Sequence, residues 1–156
     1  MPRTGRITAS SRLAAPADRV WAEATAAEGI NYELMPIVRM TIPGGLDTLS
    51  VNDVHDGQHL GRSWLLLGGL IPFDYDDITI ERVGPGHAFQ EDSTMLSQRS
   101  WRHHRVVEPT GETACTVTDS VTFVPRFPLP VRLQEFTFGH VFAHRHRRLR
   151  RRYGAA

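Results

Sequence analysis

The sequence contains no lysine: all 18 basic residues are arginine. It has one cysteine, Cys115, so an internal disulfide is excluded and nothing calls for an oxidising compartment. Long apolar runs are also missing. The longest nearly uncharged stretch, Ser63 to Phe73, contains Gly68, Gly69 and Pro72. It falls well short of the ~20 residues that a membrane-spanning helix needs and is expected to form a buried strand. Met1 to Arg12 alternates polar and apolar residues without a signal-peptide core, so a cytoplasmic location is expected. No Gly-x-Ser-x-Gly elbow, phosphate loop or dinucleotide fingerprint occurs.

What is present fits one domain over residues 1–156, with 40% hydrophobic and 22% charged residues. At this length folding buries roughly 70% of the unfolded chain's surface, enough for a core with a cavity. The net charge of +1 conceals a polarised chain. Arg145, Arg147, Arg148, Arg150, Arg151 and Arg152 follow the last acid, Glu135; the other 12 basic residues against 17 acids leave residues 1–144 at −5. Such a cluster either complements the negative end of a helix dipole in solvent or meets an anionic surface through Arg147, Arg148, Arg150, Arg151 and Arg152. Only Tyr153 accompanies the arginines, which argues against base stacking and a nucleic-acid partner.

The pattern of elements is strand, two short helices, six strands and a long helix. Ile7 to Leu13 alternates, with Ile7, Ala9, Ser11 and Leu13 on one face. Pro16 and Asp18 open a helix anchored by Trp21. A second helix over Ala26 to Leu34, broken or ended around Gly29, stops at Met35-Pro36, and Ile37 to Ile42 is extended. Pro43 to Leu60 is a long loop. Strands are expected at Arg62 to Gly68, Tyr75 to Val83, Ala88 to Met95, Arg99 to Val107 and Thr113 to Val124, in an antiparallel meander. The last helix runs from Val131 to Arg152 with Phe138, Phe142, Arg145 and Leu149 on one stripe. This is an α+β arrangement in which the final helix buries its stripe on the concave face of one sheet.

Ala15-Pro16-Ala17-Asp18-Arg19-Val20-Trp21, Trp101-Arg102-His103, Thr118-Asp119 and Phe142-Ala143-His144-Arg145 together span most of the chain. In these segments the sequence resembles bacterial single-domain members of the START-like (SRPBCC) superfamily, which includes polyketide cyclases and aromatases, lipid-transfer domains and the pollen-allergen fold. The resemblance implies a helix-grip fold: a seven-stranded curved antiparallel sheet, two short helices after the first strand, and a C-terminal helix over the concave face, with a pocket between. It implies a reaction far less firmly.

Pairing the last two strands about the Pro109 to Glu112 turn sets Val107 by Thr113, Arg105 by Cys115, His103 by Val117 and Trp101 by Asp119. Asp119 then points into an apolar interior, where it needs a partner; His103, Arg99 and Arg145 are the candidates. One reading is a pocket cluster of His103, Asp119 and Arg145 that orients a ligand. The other is an ion pair that fixes the helix to the sheet. Trp64, Phe73, Phe89, Trp101, Val117, Val121, Phe138 and Phe142 would supply the walls, or plain core. Cys115 reads as a small apolar filler. His140, His144 and His146 lack the companion glutamate of a zinc motif, and Asp74, Asp76 and Asp77 lack calcium-loop spacing, so no metal or cofactor is expected and the three aspartates read as an exposed strand entry. The leading function is binding of a small, largely apolar lipid- or polyketide-like molecule by a monomer or homodimer. An aromatase/cyclase-like enzyme using His103, Asp119 and Arg145 is the alternative, and docking to RNA, ribosome or membrane through the arginines is the third.

Overall fold

The structure is a computed structural model and describes residues 3–43 and 53–156. Its elements are β1 (Gly5–Leu13), α1 (Ala17–Ala24), α2 (Ala27–Leu34), β2 (Val38–Met40), β3 (Gln58–Leu67), β4 (Ile71–Val83), β5 (Ala88–Met95), β6 (Gln98–Gly111), β7 (Ala114–Pro125) and α3 (Val131–Tyr153). The seven strands form one sheet in the order β1-β7-β6-β5-β4-β3-β2, every pairing antiparallel. The sheet curls, and α3 covers its concave face. The long loop predicted over Pro43 to Leu60 gives way to β3 at Gln58, and its residues 44–52 lie outside the described ones.

Period-two burial locates the inner face. Along β6, Trp101, His103, Arg105 and Val107 are buried while Arg102, His104 and Val106 are not. The expected β6 and β7 pairing is corrected: Arg105 faces Asp119, His103 faces Val121 and Trp101 faces Phe123. The strands extend further than Pro109 suggested, because the chain turns only at Glu112 and Thr113. The shift is an even number of residues, so every inward side chain stays inward.

Two glycines permit close packing. A Cβ on Gly5 would stand 2.1 Å from the Phe123 ring that lies across it. A Cβ on Gly29 would meet the Glu23 carbonyl oxygen at 1.8 Å, so Gly29 lets α2 press against the end of α1 and does not interrupt it. Trp21 is buried with Leu13, Val20, Val107, Cys115, Leu149 and Tyr153 in one core cluster; Met95, Trp101, Val121, Phe123 and Phe142 form a second.

Ser63 to Phe73 is not one buried strand. It spans the end of β3, a turn at residues 68–70 and the start of β4, with Leu67, Leu70, Ile71 and Phe73 about half exposed or more. Gly68 and Gly69, both at positive φ, reverse the chain there. Asp74 and Asp76 are likewise no exposed strand entry, for both are buried on the inner face of β4.

Candidate functional site

The gap between sheet and α3 divides into two polar regions separated by aromatic rings. In the first, β7 carries Asp119 inward and β6 carries Arg105 opposite it. Arg105 Nε donates to Asp119 Oδ1 and Nη2 to Oδ2, each at 2.7 Å. The same guanidinium makes a two-point contact with Glu33 of α2, at 2.9 and 2.8 Å. Arg145 of α3 donates to Glu33 at 3.1 Å, while His103 and His146 each stand 2.7 Å from Asp119. Ser11 Oγ lies 2.7 Å from His146 Nδ1 and accepts from Arg150 at the same distance.

Two carboxylates therefore meet two guanidiniums, and all four acceptor positions of Asp119 are filled. Burial alone would raise the Asp119 pKa, but the charge and hydrogen bonds of Arg105, with the bonds from His103 and His146, hold it well below the usual carboxylate range. Burial works against the Arg105 cation, yet Asp119 and Glu33 keep it firmly protonated. Asp119 has no acceptor position left to offer a ligand, whereas Arg145 engages Glu33 through its Nε alone. The network ties α2, β1, β6, β7 and α3 together.

The aromatic layer follows. Phe138 meets Trp101 and Phe123 edge-on at centroid distances of 5.1 and 5.0 Å. His103 sits between Phe89 at 5.4 Å and Phe142 at 5.3 Å.

The second polar region lies on β4, β5 and the start of β6. Asp76 and Glu91 are both more than nine-tenths buried, on the same inner face as Ser63, Ser93 and Met95. Burial first, then the neighbouring charges of Glu91 and Asp74, pushes the Asp76 carboxyl well above its ordinary range; a hydrogen bond from Ser93 opposes this only in part. Asp74 is satisfied by the Ser97 hydroxyl and by backbone N–H groups. Asp76 Oδ1, Glu91 Oε2 and Gln98 Oε1 have no hydrogen-bond partner among the described residues. Gln98 spends its amide on Gln134 Oε1 of α3, at 2.8 Å.

The residues expected at the site thus separate. Trp101, His103, Val117, Asp119, Val121, Phe138, Phe142 and Arg145 all come to the inner side, with Phe89 alongside. Arg145 does not pair with Asp119; Arg105 does, because it stands directly opposite while Arg145 faces Glu33. Arg99 is turned out by a bulge between Gln98 and Ser100 and borders an open hollow of about 700 Å³ with Pro125 to Val131. Trp64 and Phe73 lie on the outer face, where Trp64 packs edge-on against Tyr75 and Arg62 covers the Tyr75 ring. Within the arginine cluster Arg148 donates to the Tyr32 carbonyl, Arg150 to Ser11 and Arg152 pairs with Glu23; Arg147 and Arg151 are exposed.

Sequence reasoning missed Glu33, Asp76, Glu91, Gln98 and His146 as members of the site and did not nominate Arg105. For two of them a signal existed. Arg105 shares its strand face with His103, and His146 follows Phe142 at i+4 on the buried stripe.

A family model described as "Domain of unknown function (DUF8410)" matches residues 11–153. The chain belongs to this family. No curated protein matches this DUF8410 sequence. Solved structures do match it in backbone. A START superfamily protein from Mycobacterium smegmatis superposes with a TM-score of 0.70 at 12% identity, covering 95% of this chain and 96% of that one. Truncated norcoclaurine synthase from Thalictrum flavum gives 0.64 at 17% identity, with 95% and 92% covered. The Zhui aromatase/cyclase from Streptomyces sp. R1128 gives 0.57 at 14% identity, with 96% of each chain covered. At such identities the likeness is one of fold, and that fold is the START helix-grip.

Proposed function

We propose that this DUF8410 protein binds a small, largely apolar molecule between the sheet and α3. The observation that carries the reading is the set of three buried oxygens without a hydrogen-bond partner among the described residues, on Asp76, Glu91 and Gln98, on the inner side that also holds the apolar cluster of Trp101, Phe138, Phe142, Met95 and Leu65. A core selected for stability alone pairs its polar groups, as the Asp119 network does. Apolar walls with a few polar groups for orientation are the usual make-up of a small-molecule site. No helix among the described residues is long and apolar enough to cross a membrane.

The aromatase/cyclase reading draws support from the backbone likeness to the Zhui enzyme. In that reading Asp119 is no proton shuttle, since Arg105 holds it as a carboxylate. Mass spectrometry of small molecules released from natively purified protein tests the binding reading. The expected result is one mainly apolar compound near stoichiometric amount, absent from protein unfolded before washing. Protein that carries no such compound, and shows no saturable binding of apolar fluorescent probes, would sink the proposal.

A further inference from the structure

Asp76 and Glu91 form an acidic pair for which the described residues provide no cation. The Glu91 carboxyl reaches along the inner face to within hydrogen-bonding distance of Asp76, and the Asp74 charge lies near as well. Among the described residues no arginine or histidine forms an ion pair with Asp76 or Glu91. The segment 44–52 reads GGLDTLSVN and contains no basic side chain. His103 stands across from Glu91 in the strand register, but its Nε2 is bound to Asp119.

Asp76, whose carboxyl favours its protonated form, hydrogen-bonds Glu91, which leaves one oxygen on each acid and the fully buried Gln98 carbonyl oxygen as the unmet acceptors among the described residues. Elsewhere under α3 the buried acids Glu33 and Asp119 are matched by guanidiniums. Acids left without a cation in a low-dielectric interior are costly unless they hold a proton or receive a positive charge from outside. An ammonium group provides both charge and several N–H donors, which is what two acidic oxygens and a carbonyl can use.

On the reading that a small molecule occupies the gap, we infer that this molecule carries a cationic amine on its apolar body and seats that nitrogen against Asp76 and Glu91. The rings of Trp101 and Phe138, packed edge-on on the same inner side, would take the apolar body. The charge match makes Asp76 and Glu91 the specificity-determining residues of the site, whereas the aromatic wall accepts a neutral molecule equally well.

The test uses the full chain and a series of aryl-alkyl amines of one to three rings, each paired with the alcohol of the same skeleton, titrated by calorimetry at neutral pH. At least one amine is expected to bind about tenfold tighter than its alcohol, the scale of one charge-assisted contact. In Asp76→Asn and in Glu91→Gln the amine should fall to the affinity of the alcohol, while the affinity of the alcohol stays unchanged. Thermal melts confirm that each variant folds, and the milder Glu91→Gln stands alone if Asp76→Asn does not. Equal binding of amine and alcohol to the unaltered protein would overturn the inference and leave the binding reading intact. An amine preference that survives both substitutions would overturn it too, by placing the cation elsewhere. If no member of either series binds saturably, the binding reading fails and the inference fails with it.

Discussion

The two polar regions under α3 treat buried charge in opposite ways. Around Asp119 the sheet and two helices supply a partner for every acid, and Glu33, Arg105, Asp119 and Arg145 balance in charge. Around Asp76, on the neighbouring strands, three acids lie together with no cation among the described residues. Both regions are buried, so exposure does not account for the difference. The matched region behaves as a fastener between elements distant in sequence. The unmatched one holds binding capacity that folding has left unused, the usual mark of a site kept for something other than stability.

Substitutions sharpen this contrast, and the largest effect is expected at its centre. Arg105→Met would leave Glu33 and Asp119 buried without their main partner, lowering unfolding free energy in urea by about 3–5 kcal/mol. A loss below about 1 kcal/mol would mean that the network is not the fastener described. Arg145→Met should cost less, about 1–2 kcal/mol, because Glu33 retains both contacts from Arg105. Equal losses in the two variants would break the ranking.

In the unmatched region the sign should reverse. Asp76→Asn removes an acid that folding disfavours in its charged form and should stabilise the protein by about 1 kcal/mol near neutral pH. The dependence on pH follows from the direction of the shift. The folded carboxyl of Asp76 is raised, first by burial and then by Glu91 and Asp74, so the native state holds a proton that the unfolded chain has released. Stability from this group is therefore full below the unfolded carboxylate range, about pH 4, and is lost as pH rises toward the folded pKa. The advantage of Asp76→Asn over the parent should widen across that window, and a flat difference between their melting curves would count against the charge assignment. Asp119 acts oppositely: its contribution is present above the ordinary carboxylate range and is lost only as pH falls well below it. The smallest effect belongs to the exposed arginines. Arg147→Ser and Arg151→Ser should change stability by no more than about 0.5 kcal/mol, whereas a larger loss would show that they too have internal partners.

Much of the fold was legible because it rests on periodic patterns. β5 runs from Ala88 to Met95 as the alternation of side chains implied, and α3 starts at Val131 just past the proline-rich stretch. The inward direction of Asp119 survived a wrong register because burial along a strand has period two. The site was legible only in part. Asp119 was recognisable as a buried acid in need of help, yet its helper was the inward arginine opposite it and not the one on the helix stripe. Asp74 and Asp76 looked like a solvent-facing acidic run because a local reading gives no reason to bury acids without cations. Arg99 looked inward until the bulge at the start of β6 reversed it.

The sequence alone determined the order of elements, the inward stripe of α3 through Phe138, Phe142, Arg145 and Leu149, and the inner face of β7. These depend on residue spacing within one element, where geometry repeats. The tertiary structure alone decided that Glu33 would lock Arg105 and Arg145, and that Asp76 and Glu91 would meet on the inner face without a cation among the described residues. Partners 72 and 112 residues apart in sequence meet only when the curled sheet closes on its helices, and no local period encodes that distance.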